Sequence, residues 1–148
     1  MKFTSRDYSF AMNERIDDSA KMSSSKCSVS YRLYTLGVAI ECLLRNRILE
    51  YTTEFDDKHD LEKLCIKSKI FHEVDEEEKE KLACAIKVAN RLWDNNLRYG
   101  SQKRLNRYIG DVIARKNNKK RDYNDIAREM LCGMEEATNI IVGVNKNG

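Results

Sequence analysis

Apolar residues return every three to four positions along most of the chain, in separate runs divided by polar stretches. Leu33, Leu36, Ile40, Leu43/Leu44, Ile48 and Tyr51 trace one face, which predicts a long, strongly buried helix. Leu82, Ala85/Ile86, Ala89, Leu92/Trp93 and Asn96/Leu97 repeat the pattern and predict a second. The acidic run Asp75 to Glu78 stands ahead of it, where a helix N-terminus favours negative charge. Leu105, Tyr108/Ile109 and Val112/Ile113 mark a shorter helix, preceded by Gly100 and Ser101 as stop and start signals. Ile126, Met130, Met134, Ala137, Ile141 and Val144 mark a C-terminal helix. At the front, Tyr8, Met12, Ile16 and Ala20 share a face before the serines at 23–25 interrupt it. A short helix is expected around Leu61 to Ile66, capped by Asp60 or Asp57. Nothing alternates as a strand and nothing repeats at a fixed period. The chain contains no Pro, so the strongest helix breaker is missing. The expected fold class is all-α, an up-and-down bundle of four to five main helices plus a short helix.

Composition narrows the chemistry. The 148 residues fit one domain, 1–148, large enough to hide roughly 70% of its unfolded surface. No run approaches the roughly 20 apolar residues of a membrane span, and MKFTSRDYSF has neither the form of a signal peptide nor that of a transit peptide. No membrane partner and a cytoplasmic location are expected. Cys27, Cys42, Cys65, Cys84 and Cys132 are odd in number and never form CxxC, which fits small core residues better than a disulfide framework or zinc site. His59 and His72 are the only histidines, and the six glycines form no phosphate-binding loop. Neither a metal nor a cofactor is expected.

Charge is divided unevenly although the net value is only +3. Residues 48–82 hold twelve acids against six bases, whereas residues 91–128 hold eleven bases against four acids. The second half therefore offers either a solvated basic face or a footprint for RNA or another polyanion. Aromatics interleave with the bases at Arg98-Tyr99 and Arg107-Tyr108, which suits base stacking, although the spacing of Tyr108 places it in the core. Met130, Met134, Ile140, Ile141 and Val144 form a stripe that serves either the core or a partner protein.

Several polar residues carry two readings. Gly37 and Ala39 permit close helix approach. Glu41 either pairs along the surface with Arg45, one turn on, or lies inside the bundle against Arg98 or His59, being bracketed by Ile40, Cys42 and Leu43. Asp60 is read as a helix cap, and His59 either packs across that turn or transfers protons. Arg98 either locks a helix C-terminus or contacts phosphate. Asn95 and Asn96 are poor helix-interior residues and point to a specific hydrogen-bonding role.

Three stretches together resemble the HEPN superfamily of small helical nucleotide-binding and ribonuclease-like domains. These are Tyr34-Thr35-Leu36-Gly37-Val38-Ala39-Ile40-Glu41-Cys42-Leu43-Leu44-Arg45, the His59-Asp60-Leu61 turn within residues 54–64, and Leu92-Trp93-Asp94-Asn95-Asn96-Leu97-Arg98-Tyr99-Gly100. Their order and spacing cover roughly residues 29–110. The resemblance implies one HEPN-like domain that binds RNA or a nucleotide, acting as a homodimer or in a hetero-complex with a partner such as a nucleotidyltransferase. It also implies a setting in prokaryotic antiviral defence or toxin–antitoxin biology. Many members resemble metal-independent endoribonucleases in which four to six residues separate an Arg from a following His. Here Thr52, Thr53 and Glu54 precede His59, and Cys65, Ile66 and Lys67 precede His72, so that motif is missing. Arg98 is the best match to the family's Arg, but Lys103 and Arg104 stand where its His would be. A cation there holds phosphate without exchanging protons near neutrality. The expected function is polyanion binding through Asn95, Asn96, Arg98, Tyr99, Lys103, Arg104 and Arg107, with Glu41, Arg45 and Asp60 as a structural lock. Alternatives are a metal-independent ribonuclease with a rearranged Arg98 and His59 site, and an interaction subunit.

Overall fold

The computed structural model describes residues 3–22, 27–53, 58–93, 101–115 and 122–147. Within them the chain is all-α. Six α-helices are described, α1 (Ser5–Met22), α2 (Val29–Tyr51), α3 (Leu61–Lys67), α4 (Glu76–Leu92), α5 (Gln102–Arg115) and α6 (Tyr123–Asn147), with a 3-10 turn at Ile70–Glu73.

Local chemistry explains where these helices begin. Thr4 donates from its backbone N–H and hydroxyl to the Asp7 carboxylate at 2.8 and 2.7 Å, and Asp7 N–H returns a bond to Thr4 Oγ1. This reciprocal cap satisfies donors that the first turn leaves open, and it holds the Asp7 carboxyl below its usual range. Ser28 caps α2 by accepting from Tyr31 N–H, Asp60 caps α3 by accepting from Lys63 N–H, and Asp75 caps α4 by accepting from Glu78 N–H. Ser101 Oγ accepts from Arg104 N–H at the start of α5. Lys69 adopts the left-handed conformation with φ 56°, turning the chain into the 3-10 segment.

Helix α2 is buried on nearly every side, which makes it the central helix of the fold. Its start and end are tied to α6 by Arg32 Nη2 to Glu135 Oε1 at 2.5 Å and by Arg47 Nη1 to Asn145 Oδ1 at 2.9 Å, so α2 and α6 run parallel. Ser5 Oγ bonds Asn46 Oδ1, placing the start of α1 at the end of α2, antiparallel to it. Arg47 also pairs with Glu73 and so fastens the 3-10 turn to α2. Leu61 N–H donates to Asn90 Oδ1, setting the start of α3 beside the end of α4. Leu105 and Ile109 anchor α5 in the core.

Three sequence expectations shift, and one open alternative is decided. α4 ends at Leu92, where Trp93 N–H donates to Ala89 O, while Asn96 and Leu97 fall outside the described residues. Tyr51 is 51% exposed, because its ring lies against the Lys69 ammonium and its hydroxyl reaches Glu73. On α1 the expected face holds at Tyr8, Met12 and Ile16 but ends on the buried Ser19, with Ala20 exposed. The C-terminal stripe packs inward, with Met134, Ile141 and Val144 buried and Met130 and Ile140 partly so.

The thiols divide by position. Cys42 and Cys65 are buried, whereas Cys84 and Cys132 are exposed. Burial, followed by the Glu41 carboxylate, pushes Cys42 from 9.0 up to about 11, and burial pushes Cys65 up to about 12. The unfolded chain therefore loses these thiol protons before the folded chain does. Their stabilising contribution is complete below pH 9.0 and declines as pH rises from there through the folded values, at up to about 1.4 kcal/mol per pH unit for each thiol. A thiol reagent near neutral pH is expected to label Cys84 and Cys132 promptly, and Cys42 and Cys65 only after denaturant is added. Equal rates at all five positions would contradict this placement.

Candidate functional site

Glu41 stands in the middle of α2 between core residues, so the helix that positions it also takes its carboxylate out of water. It is 9% exposed. A carboxylate in that setting needs donors, and three converge on it. Arg45 Nε donates to Oε1 at 2.9 Å, one helical turn away. Trp93 Nε1 donates to Oε2 at 3.2 Å from the end of α4. His59 Nδ1 lies 2.9 Å from both oxygens, and because an ionised carboxylate only accepts, the proton belongs on Nδ1. Arg45 also donates through Nη2 to the Lys58 carbonyl at 2.9 Å, fixing the strand of chain that carries His59. Asp60, the next residue, is occupied as the α3 cap. The cluster thus joins α2, the turn ahead of α3, and the end of α4.

The His59 side chain is 44% exposed even though Nδ1 is held by Glu41. That arrangement leaves Nε2 as the ring atom available to exchange a proton. Beside it, Gly37 makes room for the indole of Trp93. A Cβ at Gly37 would fall 1.9 Å from Trp93 Cε3 and 2.4 Å from Cζ3. The indole also meets Tyr34, at 5.6 Å between ring centroids.

Helical spacing explains why these groups line up. Ser30, Tyr34, Gly37, Glu41 and Arg45 recur at intervals of three to four, so they share one face of α2. At the start of that face, Ser30 N–H donates to Gln102 Oε1 at 3.4 Å, which brings in the first turn of α5. Lys103, Arg104 and Arg107 follow, all exposed, opposite the buried Leu105 and Ile109. Ser30 and Glu41 lie about 16 Å apart along the helix axis. The contact with α5 and the Glu41 cluster are therefore separate points along one face of α2.

Comparison of the chain with family models, curated proteins and solved structures finds no match. The geometry stands by itself. Of the expected site residues, Glu41, Arg45 and His59 come together, Asp60 caps the adjoining helix, and Lys103, Arg104 and Arg107 form an exposed row. Asn95, Asn96, Arg98 and Tyr99 lie outside the described residues, so the expected approach of Arg98 to Glu41 falls there too. Sequence reasoning did not assign Trp93 as a donor to Glu41, nor Tyr31 and Tyr34 as a surface pair. The interval of three between Tyr31 and Tyr34 was a local signal for the pair, whereas nothing local marked Trp93.

Elsewhere, an open groove of about 430 Å³ runs between α4 and α6, lined by Val88, Ala137 and Ile140 with Glu80, Lys81 and Glu136 around it. Among the described residues, no group of three or more His, Cys, Asp and Glu side chains is placed to hold a metal ion. No helix among them is long and apolar enough to cross a membrane.

Proposed function

We propose that this chain is a HEPN-like domain, an up-and-down helical bundle that binds RNA or a nucleotide through the basic face of α5. The observation that carries this reading is the exposed row Lys103, Arg104 and Arg107, held outward by the buried Leu105 and Ile109. Among the described residues, neither Lys103 nor Arg107 belongs to an ion pair. Cations so arranged gain by displacing counterions from a phosphate backbone. Asn95, Asn96, Arg98 and Tyr99 are proposed as further ligand contacts on the sequence resemblance alone. The domain acts in the cytoplasm as a homodimer or beside a partner protein, in prokaryotic defence or toxin–antitoxin biology.

A second reading is favoured by one geometric feature, the Glu41-held His59 with its exposed ring edge. In a metal-independent ribonuclease, Nε2 of His59 would take the proton of a ribose hydroxyl and Arg98 would hold the phosphate.

Labelled single-stranded RNA incubated without metal at low salt separates the two readings. Wild type is expected to shift the RNA without cutting it, and Lys103→Ala/Arg107→Ala to weaken the shift at least tenfold. Cleavage abolished by both His59→Ala and Arg98→Ala would replace the binding reading with the nuclease one. An absence of both shift and cleavage would remove both.

A further inference from the structure

The start of α2 carries two large exposed rings, on a helix whose middle is buried. Tyr31 is 52% exposed and Tyr34 is 37% exposed, and the rings stack with centroids 6.3 Å apart and planes 16° from parallel. We infer that this pair is a base-stacking platform, so that the ligand of the basic face is a single-stranded nucleic acid with unpaired bases. The inference rests on the polyanion reading above and adds to it a contact with bases as well as phosphates.

Three features support a platform. The first is rigidity, because Tyr34 leans on Trp93, which is 4% exposed and tied by its own N–H to Glu41. An aromatic surface ordered before binding loses little further freedom when a base settles on it. The second is charge, because the Ser30 to Gln102 bond joins the start of α2 to the first turn of α5, the helix that carries the exposed Lys103, Arg104 and Arg107. Paired cations and aromatic rings are what a single strand requires, since its phosphates need neutralising and its bases offer flat apolar faces. The third is the arrangement of charges along the two helices. Arg32, between the two tyrosines in sequence, is engaged with Glu135, and the nearest acid described along α5 is Asp111, one turn beyond Arg107. A duplex, whose bases are already stacked, gains nothing from such rings.

Fluorescence anisotropy tests this with three labelled ligands of about 12 nucleotides, a length within common single-strand site sizes. They are oligouridylate, an abasic strand with the same number of phosphates, and a duplex. Wild type is expected to bind oligouridylate at least about tenfold more tightly than the abasic strand, and more tightly than the duplex. Tyr31→Ala should erase most of that gap while leaving abasic binding unchanged, and Tyr34→Phe should preserve it. Equal binding of oligouridylate and the abasic strand, a preference for the duplex, or a gap untouched by Tyr31→Ala would overturn the platform alone. Binding of none of the three at low salt would remove the polyanion reading, and the platform with it.

Discussion

Replacing Glu41 by alanine is expected to lower the free energy of unfolding by about 3–5 kcal/mol, the range for breaking a buried ion pair from one side. Arg45, only 6% exposed, would keep its bond to the Lys58 carbonyl but lose its carboxylate. Trp93 Nε1 would lose its acceptor within a buried site. A surface pair at the same spacing contributes well under about 1 kcal/mol, so the magnitude separates the two readings of Glu41. With total stabilities of about 5–15 kcal/mol for domains of this kind, the loss would leave a marginal protein. The double variant Glu41→Gln/Arg45→Met should recover much of it, because removing both charges leaves no orphaned ion. Urea unfolding followed through Trp93, the single tryptophan, reads both variants directly. A loss below about 1 kcal/mol for Glu41→Ala would show that the cluster does not support the fold.

Gly37→Ala should also destabilise, against the direction that helix propensity alone would give. Alanine gains about 1 kcal/mol over glycine in a helix interior. Here the added methyl would enter the Trp93 ring system, 1.9, 2.4 and 2.6 Å from three of its carbons. The indole is confined by Tyr34 and by its bond to Glu41, so it cannot yield without breaking one of them. Overpacking of this kind costs about 1–3 kcal/mol or more, and the expected net loss is about 2 kcal/mol. Tryptophan emission should shift to longer wavelength as the ring moves toward solvent. In a Trp93→Leu background the same substitution should cost far less, since a flexible side chain can step aside. A neutral or stabilising Gly37→Ala in the wild-type background would contradict the close approach.

Much of the helical layout could be read from periodicity because burial and spacing are local facts. Asp60 and Asp75 signalled helix starts through their position ahead of apolar runs, and both act as caps. The Thr4 and Asp7 cap is equally local. The 3-10 turn after Lys69 carried no glycine or proline to announce it, and a lysine takes the left-handed conformation there. For the candidate site, the flanking Ile40, Cys42 and Leu43 pointed to burial of Glu41, and the interval to Arg45 pointed to their pairing. The choice of Trp93 as the third donor depends on how α4 ends against α2, which no short window contains. The α5 cations were visible as composition, but their outward direction follows from Leu105 and Ile109 entering the core.

The most direct test of polyanion binding on the α5 face is the salt dependence of RNA affinity. Each phosphate contact on a single strand contributes about −0.7 to the slope of log K against log salt concentration. The Lys103→Ala/Arg107→Ala variant is therefore expected to bind with a slope shallower than wild type by about 1.4. An unchanged slope, or no binding by wild type at low salt, would contradict the assignment of this face.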